Sequence, residues 1–269
     1  MLHEIFLTTV VKEEEQLTAR AILQGVAEMS EVHRFTKVRY LRRPDTNLKG
    51  IPTLKKMERE NQTQTQKDPY LPQWQELHKD IFKTNYVLQD RLDITRTVLG
   101  QPQTNEPPKR VLVWYDVPDP GRGAPPNITQ RKMLEVTDPR FPQIISDNKF
   151  VIKTEAVEES YHWFAYEGGV EYVLFKTYRV KSEDNLGQSA ATPQEESFDM
   201  ESQTVDFMPF WVLHVRVQTA VDPEHMAKGL RILQQIDDKF AGLFDFKVFD
   251  RRAHDTRDLE PPASSAGSA

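Results

Sequence analysis

The most informative absence in this 269-residue chain is cysteine, of which there is none. Disulfide bonds, thiolate zinc sites and cysteine nucleophiles are therefore excluded together. No stretch approaches the roughly 18 apolar residues that a membrane-spanning helix needs. The apolar start, residues 2–11, has neither a basic region before it nor a small-residue cleavage site after it. We therefore expect a soluble intracellular protein.

The common catalytic and metal-binding motifs are also missing. The seven histidines show neither HxH nor HExxH spacing, and GxSxG, GxxxxGK[ST] and GxGxxG do not occur. The formal net charge of -6 argues against a surface built mainly to bind phosphates. The sequence thus predicts neither a cofactor site nor a metal site. It also predicts that the protein is not an enzyme.

What the chain does contain is a series of strand-like segments with a helix near each end. Residues 13–29 carry apolar residues on one helical face, and Asp222-Pro223 provides the N-cap and first position of a second helix. Strand composition marks the remaining segments: 2–11, 32–42, 84–95, 110–116, 130–136, 149–154, 159–166, 170–181, 210–221 and 243–249.

Two polar segments interrupt this series, at 44–80 and 182–206, and both are expected to be flexible insertions. The last residues, 259–269, are expected to form a disordered tail. Residues 1–258 would then make up a single domain.

The two ends of the chain resemble each other at an offset of 210 positions. Ala21–Val26 (AILQGV) corresponds to Arg231–Ile236 (RILQQI), and each run lies in a strand-helix-strand unit. Eight or more strands in hairpin order are best satisfied by a closed sheet, which has no free edges. The predicted fold class is therefore α+β: a closed antiparallel β-barrel of about eight or more strands with two packed helices and pseudo-symmetric ends.

A barrel of this kind raises the possibility of a tunnel-type triphosphatase. Those enzymes carry an alternating Glu-x-Glu-x-Lys on the first strand, which places three charges on one inward face. Here Glu4 is the only acid on that strand, and Phe6 stands where the second acid would be. The interpretation as an enzyme is accordingly the weakest of the alternatives.

Nucleic-acid binding is the second alternative. A basic stretch on one predicted strand and its exit is interleaved with Phe35 and Tyr40, which could stack on bases. Its members are Arg34, Lys37, Arg39, Arg42 and Arg43. We favour the other explanation of the stretch, an exposed strand with ordinary basic side chains followed by a polar loop.

Both ends of the chain resemble the family of Mediator subunit 18. The C-terminal run Phe246–Arg257 (FKVFDRRAHDTR) follows the helical Gly229–Gln235 (GLRILQQ), as in the helix, strand and Asp-Arg…Asp-Ser/Thr-Arg order of that family. The opening Leu2–Leu7 (LHEIFL) and the segment Ala21–Met29 (AILQGVAEM) are similar to its start, especially in fungal members.

The resemblance implies a barrel without the triphosphatase active site, acting in the nucleus in transcription regulation. It implies a heterodimer with Mediator subunit 20, a tether through the C-terminal helix of Mediator subunit 8, and contact with RNA polymerase II through the assembled head module. We expect no direct sequence-specific nucleic-acid contact and no membrane contact.

Two sets of residues are candidates for partner binding on such a scaffold. Aromatic residues outside the helical stripes are candidate exposed anchors: Trp114, Tyr115, Tyr161, Trp163 and Phe164. The charged residues that follow the last predicted strand are candidates for a latch on the barrel or a polar rim for a partner: Asp250, Arg251, Asp255 and Arg257.

Overall fold

The fold is described from a computed structural model. The residues that it describes are 2–42, 50–63, 67–82, 86–100, 108–118, 125–165, 167–181, 200, 204–206, 209–220 and 222–249.

Within these described residues, nine antiparallel strands form one sheet. They are β1 (Leu2–Lys12), β2 (Val32–Arg42), β3 (Tyr86–Asp93), β4 (Arg110–Asp116), β5 (Thr129–Val136), β6 (Val151–Ala165), β7 (Val170–Val180), β8 (Thr204–Asp206) and β9 (Phe210–Thr219). The sheet order is β6-β2-β3-β4-β5-β1-β9-β7-β8, and β6 also pairs with β7. That additional pairing closes eight strands into a barrel, with β8 as an extra strand on β7. The predicted fold class is confirmed.

The strands β1 and β9 show the internal symmetry most clearly. They pair from His3 opposite Thr219 to Lys12 opposite Phe210. In this register Phe6 lies opposite Arg216, the residue 210 positions further along. The offset read from the sequence therefore relates two neighbouring strands by a local two-fold axis.

Two strand predictions were wrong in detail. The segments 149–154 and 159–166 form one continuous strand, β6, because the glutamates between them are held by charged partners, for example Glu155 by Arg39. Residues 243–249 are not a strand. They cross the edge of β1 with the backbone hydrogen bond from Lys247 N to Thr8 O (2.9 Å), and Phe246 anchors them in the apolar core.

The helices α1 (Gln16–Val26) and α6 (Pro223–Lys239) cover one outer arc of the barrel. The other α-helices given in full by the described residues are α2 (Leu54–Thr63), α3 (Leu71–Asp80), α4 (Thr95–Val98) and α5 (Phe141–Asp147). Leu23 of α1 and its symmetry counterpart Leu233 of α6 are both fully buried in the same apolar cluster. The N-terminus of α6 is capped as predicted, since His225 N donates to Asp222 Oδ1 at 3.0 Å.

A second apolar cluster lies under α2, α3 and α5, on the outer face of β3, β4 and β5. The prediction that 44–80 is a flexible insertion was therefore wrong over 50–63 and 67–80. Leu71, Trp74 and Leu77 recur every three residues and bury one face of α3, although the composition around them is polar. Trp74 Nε1 also donates to the buried Asp138 at 2.8 Å.

Replacing Trp74 with alanine tests whether this region belongs to the core. We expect the free energy of unfolding to fall by about 3–5 kcal/mol, because the change leaves a cavity and removes the partner of Asp138. Urea denaturation measures it, with Leu17→Ala as a control at an exposed helical position. Equal stability of the two variants would contradict the packing described.

Candidate functional site

The barrel lumen contains a chain of alternating charges. Glu4 on β1 accepts hydrogen bonds from Arg131 on β5 and from Arg216 on β9, the latter at 3.0 Å. Arg216 Nε donates to Glu171 Oε2 at 2.8 Å, and Glu171 Oε1 lies 2.8 Å from His162 Nδ1. The strand register places these side chains on one face, and their contacts show that this face is the inner one.

A further ion pair crosses the same lumen. Arg91 on β3 donates to Glu158 on β6 at 2.7 Å, and β2 lies between these two strands. A side chain can reach over a neighbouring strand in this way only on the concave side of a curved sheet. The two networks together contain three arginines and three glutamates, so their formal charges cancel.

The ionisation of the lumen glutamates is fixed by these arginines. Burial opposes the charged form of Glu4, but Arg131 and Arg216 outweigh it and lower the pKa to about 2. Burial likewise opposes the charge on Glu171, while the hydrogen bond from His162 and the charge of Arg216 lower its pKa to about 2. These carboxylates are charged at neutral pH because of their partners.

This arrangement is unsuited to tunnel-type triphosphatase chemistry. Such chemistry requires carboxylates that hold a metal ion and basic side chains that hold phosphates. Here the oxygens of Glu4 are bonded to arginines, and Arg216 is bonded to two glutamates. Within the part of the chain that the structure describes, no group of three His, Asp or Glu side chains could hold a metal ion.

From the sequence, Glu4 was considered as an isolated acid, and it was not predicted to share the lumen with Arg131, Arg216, Glu171, Arg91 and Glu158. Their signal is weak, because each is a single charge on the inward face of an otherwise ordinary strand. Only the strand register shows that they meet.

The basic stretch of β2 is divided between the two faces of its strand. Lys37 and Arg39 lie on the outer face, where Glu155 Oε1 is 3.2 Å from Lys37 Nζ and 2.7 Å from Arg39 Nε. Arg34 lies on the opposite face, and Arg42 is exposed at the end of the strand. Arg43 lies outside the described residues. The described residues of this stretch therefore do not form a continuous basic surface.

Four of the five aromatic residues predicted to be exposed anchors are buried, so that prediction was wrong for them. Trp114 and Trp163 are fully buried on the outer face of the sheet, and Tyr115 points into the lumen, where Arg131 stacks on it at 4.0 Å. Tyr161 is covered by Arg20 at 3.9 Å. The physical reason is that helices cover the outer face while the barrel encloses the inner one.

The fifth aromatic candidate and the four charged candidates remain to be placed. Phe164 is half-buried on the inward face near the end of β6, next to the α1–β2 connection, where Met29 N donates to Phe164 O at 3.3 Å. Asp250, Arg251, Asp255 and Arg257 lie outside the described residues.

A cavity of about 280 Å³ lies on the outside of the barrel, beside the first two turns of α6. Its walls are the end of β9, the turn between β6 and β7, and α6 itself. Gly168, Gly169 and Gly229 contribute no side chain to it, Val217 and Ile232 supply apolar surface, and Lys228 is its exposed cation.

The fold and the lumen define a closed β-barrel in which the glutamates of the two networks are paired with arginines. The chain matches the protein family described as Med18 protein over residues 3–257. It therefore belongs to the Med18 family, and it is a Mediator subunit. The family is one of Mediator subunits rather than of known enzymes.

One solved structure supports the fold, and two others are less similar to this chain. A chain of the Schizosaccharomyces pombe Mediator head module matches with a TM-score of 0.54 and 11% identity, covering 91% of this chain and 98% of that one. A putative adenylyl cyclase from Hippeastrum, titled as having a dominant triphosphatase activity, matches with a TM-score of 0.43 and 10% identity over 97% and 99% of the two chains. A putative adenylate cyclase from Bacillus halodurans matches at 0.37 and 9% identity over 94% and 98%. No curated protein sequence matches this chain significantly.

None of the helices in the described ranges is both long and apolar enough to cross a membrane.

The pH dependence of folding tests the lumen network. The pKa of Glu4 falls from 4.5 to about 2 on folding, so its contribution is complete above the unfolded pKa and is lost as the pH falls toward 2. We expect acidification from about pH 6 to pH 2 to cost the wild type about 3 kcal/mol more than Glu4→Gln. Urea denaturation at several pH values measures this difference.

The matched control is Glu14→Gln, which removes an exposed carboxylate and should leave the pH dependence of the wild type intact. At neutral pH Glu4→Gln should itself cost about 3–5 kcal/mol, because it breaks a buried ion pair. Parallel loss of stability in the wild type and Glu4→Gln would show that Glu4 is not held by Arg131 and Arg216.

Proposed function

We propose that this Mediator subunit is a non-catalytic scaffold that acts in the nucleus by holding partner proteins. The observation that supports this proposal is the pairing of charges in the lumen: Arg216 is bonded to both Glu4 and Glu171, so these side chains are not free for catalysis. We therefore expect partner proteins to bind to the outer surface of the barrel. Membership of the Med18 family supports the same conclusion.

The proposed partners are Mediator subunit 20, as a heterodimer, and the C-terminal helix of Mediator subunit 8. RNA polymerase II would be contacted through the assembled head module, so that the subunit works as a coactivator component in transcription. A stable pair usually buries an apolar centre within a polar rim. The described chain exposes several apolar side chains that could contribute to such surfaces: Leu2, Val10, Leu17, Met29, Val32, Phe82, Leu99, Val205, Leu243 and Val248.

The position of Phe164 supports its proposed role in partner binding, while the four charged residues near the C-terminus remain proposals without structural support. Phe164 keeps its role as a candidate contact because it is half-buried beside the exposed Met29 and Val32. Asp250, Arg251, Asp255 and Arg257 remain proposed as a latch or a polar rim. Direct nucleic-acid binding is not favoured, because Lys37 and Arg39 are paired with Glu155.

Reconstitution tests this function. The purified chain is mixed with Mediator subunit 20 and the C-terminal peptide of subunit 8, and the products are sized by gel filtration with light scattering. We expect one stable complex with a single copy of each, because a scaffold binds its partners in fixed stoichiometry.

Binding of the isolated chain to single-stranded and double-stranded oligonucleotides at increasing salt is the control. A scaffold should show no specific affinity, whereas a nucleic-acid binder should lose affinity steeply as salt rises. A chain that stays alone with both protein partners but binds oligonucleotides would contradict the scaffold function.

A further inference from the structure

The cavity beside α6 has an apolar floor and an open side. Val217 of β9 and Ile232 of α6 supply its aliphatic surface, while Gln218 and Thr219 provide polar groups at the end of β9. A volume of about 280 Å³ is several times that of a methyl or isobutyl group, so an aliphatic side chain of a partner fits with its flanking backbone.

Glycines create this cavity for different reasons. A Cβ on Gly168 would lie 2.8 Å from Ile232 Cδ1, and one on Gly229 would lie 2.9 Å from Ile5 Cδ1, so a side chain at either position would require an isoleucine to move. A Cβ on Gly169 would meet nothing within 4 Å. Packing among the described residues therefore leaves open space beside Gly169.

Two basic residues line the cavity, His225 and Lys228, and they differ in whether an acidic residue of this chain contacts them. His225 is engaged by Asp222, whose carboxylate lies 2.7 Å from its ring nitrogen and also caps α6. Lys228 lines the cavity, and none of the described residues that line it is acidic. The charge that the described walls present to an incoming group is consequently positive.

We propose that this cavity is a docking site for an acidic partner segment, in which an aliphatic side chain enters beside Gly169 and a neighbouring carboxylate pairs with Lys228. Burial of the aliphatic group supplies affinity, and the carboxylate selects the register of the segment. The proposal rests on the scaffold function above and assigns a surface and a chemistry to it.

Two substitutions test the two halves of this contact. Lys228→Glu replaces attraction by repulsion, and Gly169→Asn fills the cavity with a residue that tolerates the positive φ of 63°. The probes are Mediator subunit 20 and the C-terminal peptide of Mediator subunit 8, each titrated by calorimetry against the full chain. For one of these partners we expect each substitution to weaken binding at least about tenfold.

The controls separate binding from folding. Lys228→Arg should retain most of the affinity, and Lys239→Glu, an exposed charge reversal in the last turn of the same helix, should bind as the wild type does. Thermal melting checks that all variants fold. If Gly169→Asn proves unstable, Lys228→Glu still decides the outcome.

The outcomes distinguish this inference from the scaffold function. If the wild type binds a partner and both substitutions leave its affinity unchanged, the docking site is wrong and the scaffold function stands. If the wild type binds neither partner, both fail. If Lys228→Glu instead abolishes self-association of the isolated chain, the cavity accepts a second copy and the proposal is wrong.

Discussion

Glu4 lies fully buried inside the barrel, and its charge is tolerated because Arg131 and Arg216 approach it from the strands on either side. An unpaired buried carboxylate would cost several kcal/mol, so the three strands can close only in a register that brings these groups together. Arg216 in turn requires Glu171 on the next strand. Each charge thus constrains the neighbouring strand, and the chain of contacts follows the closure of the barrel.

The same constraint explains why function is expected on the outside. Glu4, Glu171 and Glu158 are bonded to arginines, so these acids are not free to hold a metal ion, and the arginines that hold them are not free to bind a phosphate. Two outer arcs are already used for stability, one under α1 and α6 and the other under α2, α3 and α5. The exposed apolar side chains and the cavity beside Gly169 are what the described fold leaves for partners.

Much of the barrel could be predicted because strand signals are local. The alternation of β9 and the capping of α6 by Asp222 depend on neighbouring residues, and the offset of 210 positions predicted the counterparts Leu23 and Leu233. The helix α3 was missed because its stripe of Leu71, Trp74 and Leu77 is thin and lies within a polar segment.

Long-range pairing is what the sequence could not show. Trp74 finds Asp138 on a distant segment, and Arg131 meets Glu4 only because β5 pairs with β1. The aromatic residues of β4 and β6 looked like surface anchors because one strand seen alone has a solvent face. A closed barrel with helices packed outside it removes that face, which is why Trp114 and Trp163 are buried.

Hydrogen-exchange mass spectrometry of the chain alone and in complex with its two proposed partners tests the central claim most directly. Backbone amides within the barrel strands should exchange at the same rate in both states. Amides of the helices and turns on the outer surface should gain protection, including those around Gly169 and in the first turns of α6. Protection confined to the barrel strands, with the outer helices and turns unchanged, would contradict the account, since it would mean that partners act through the barrel and not on its outer surface.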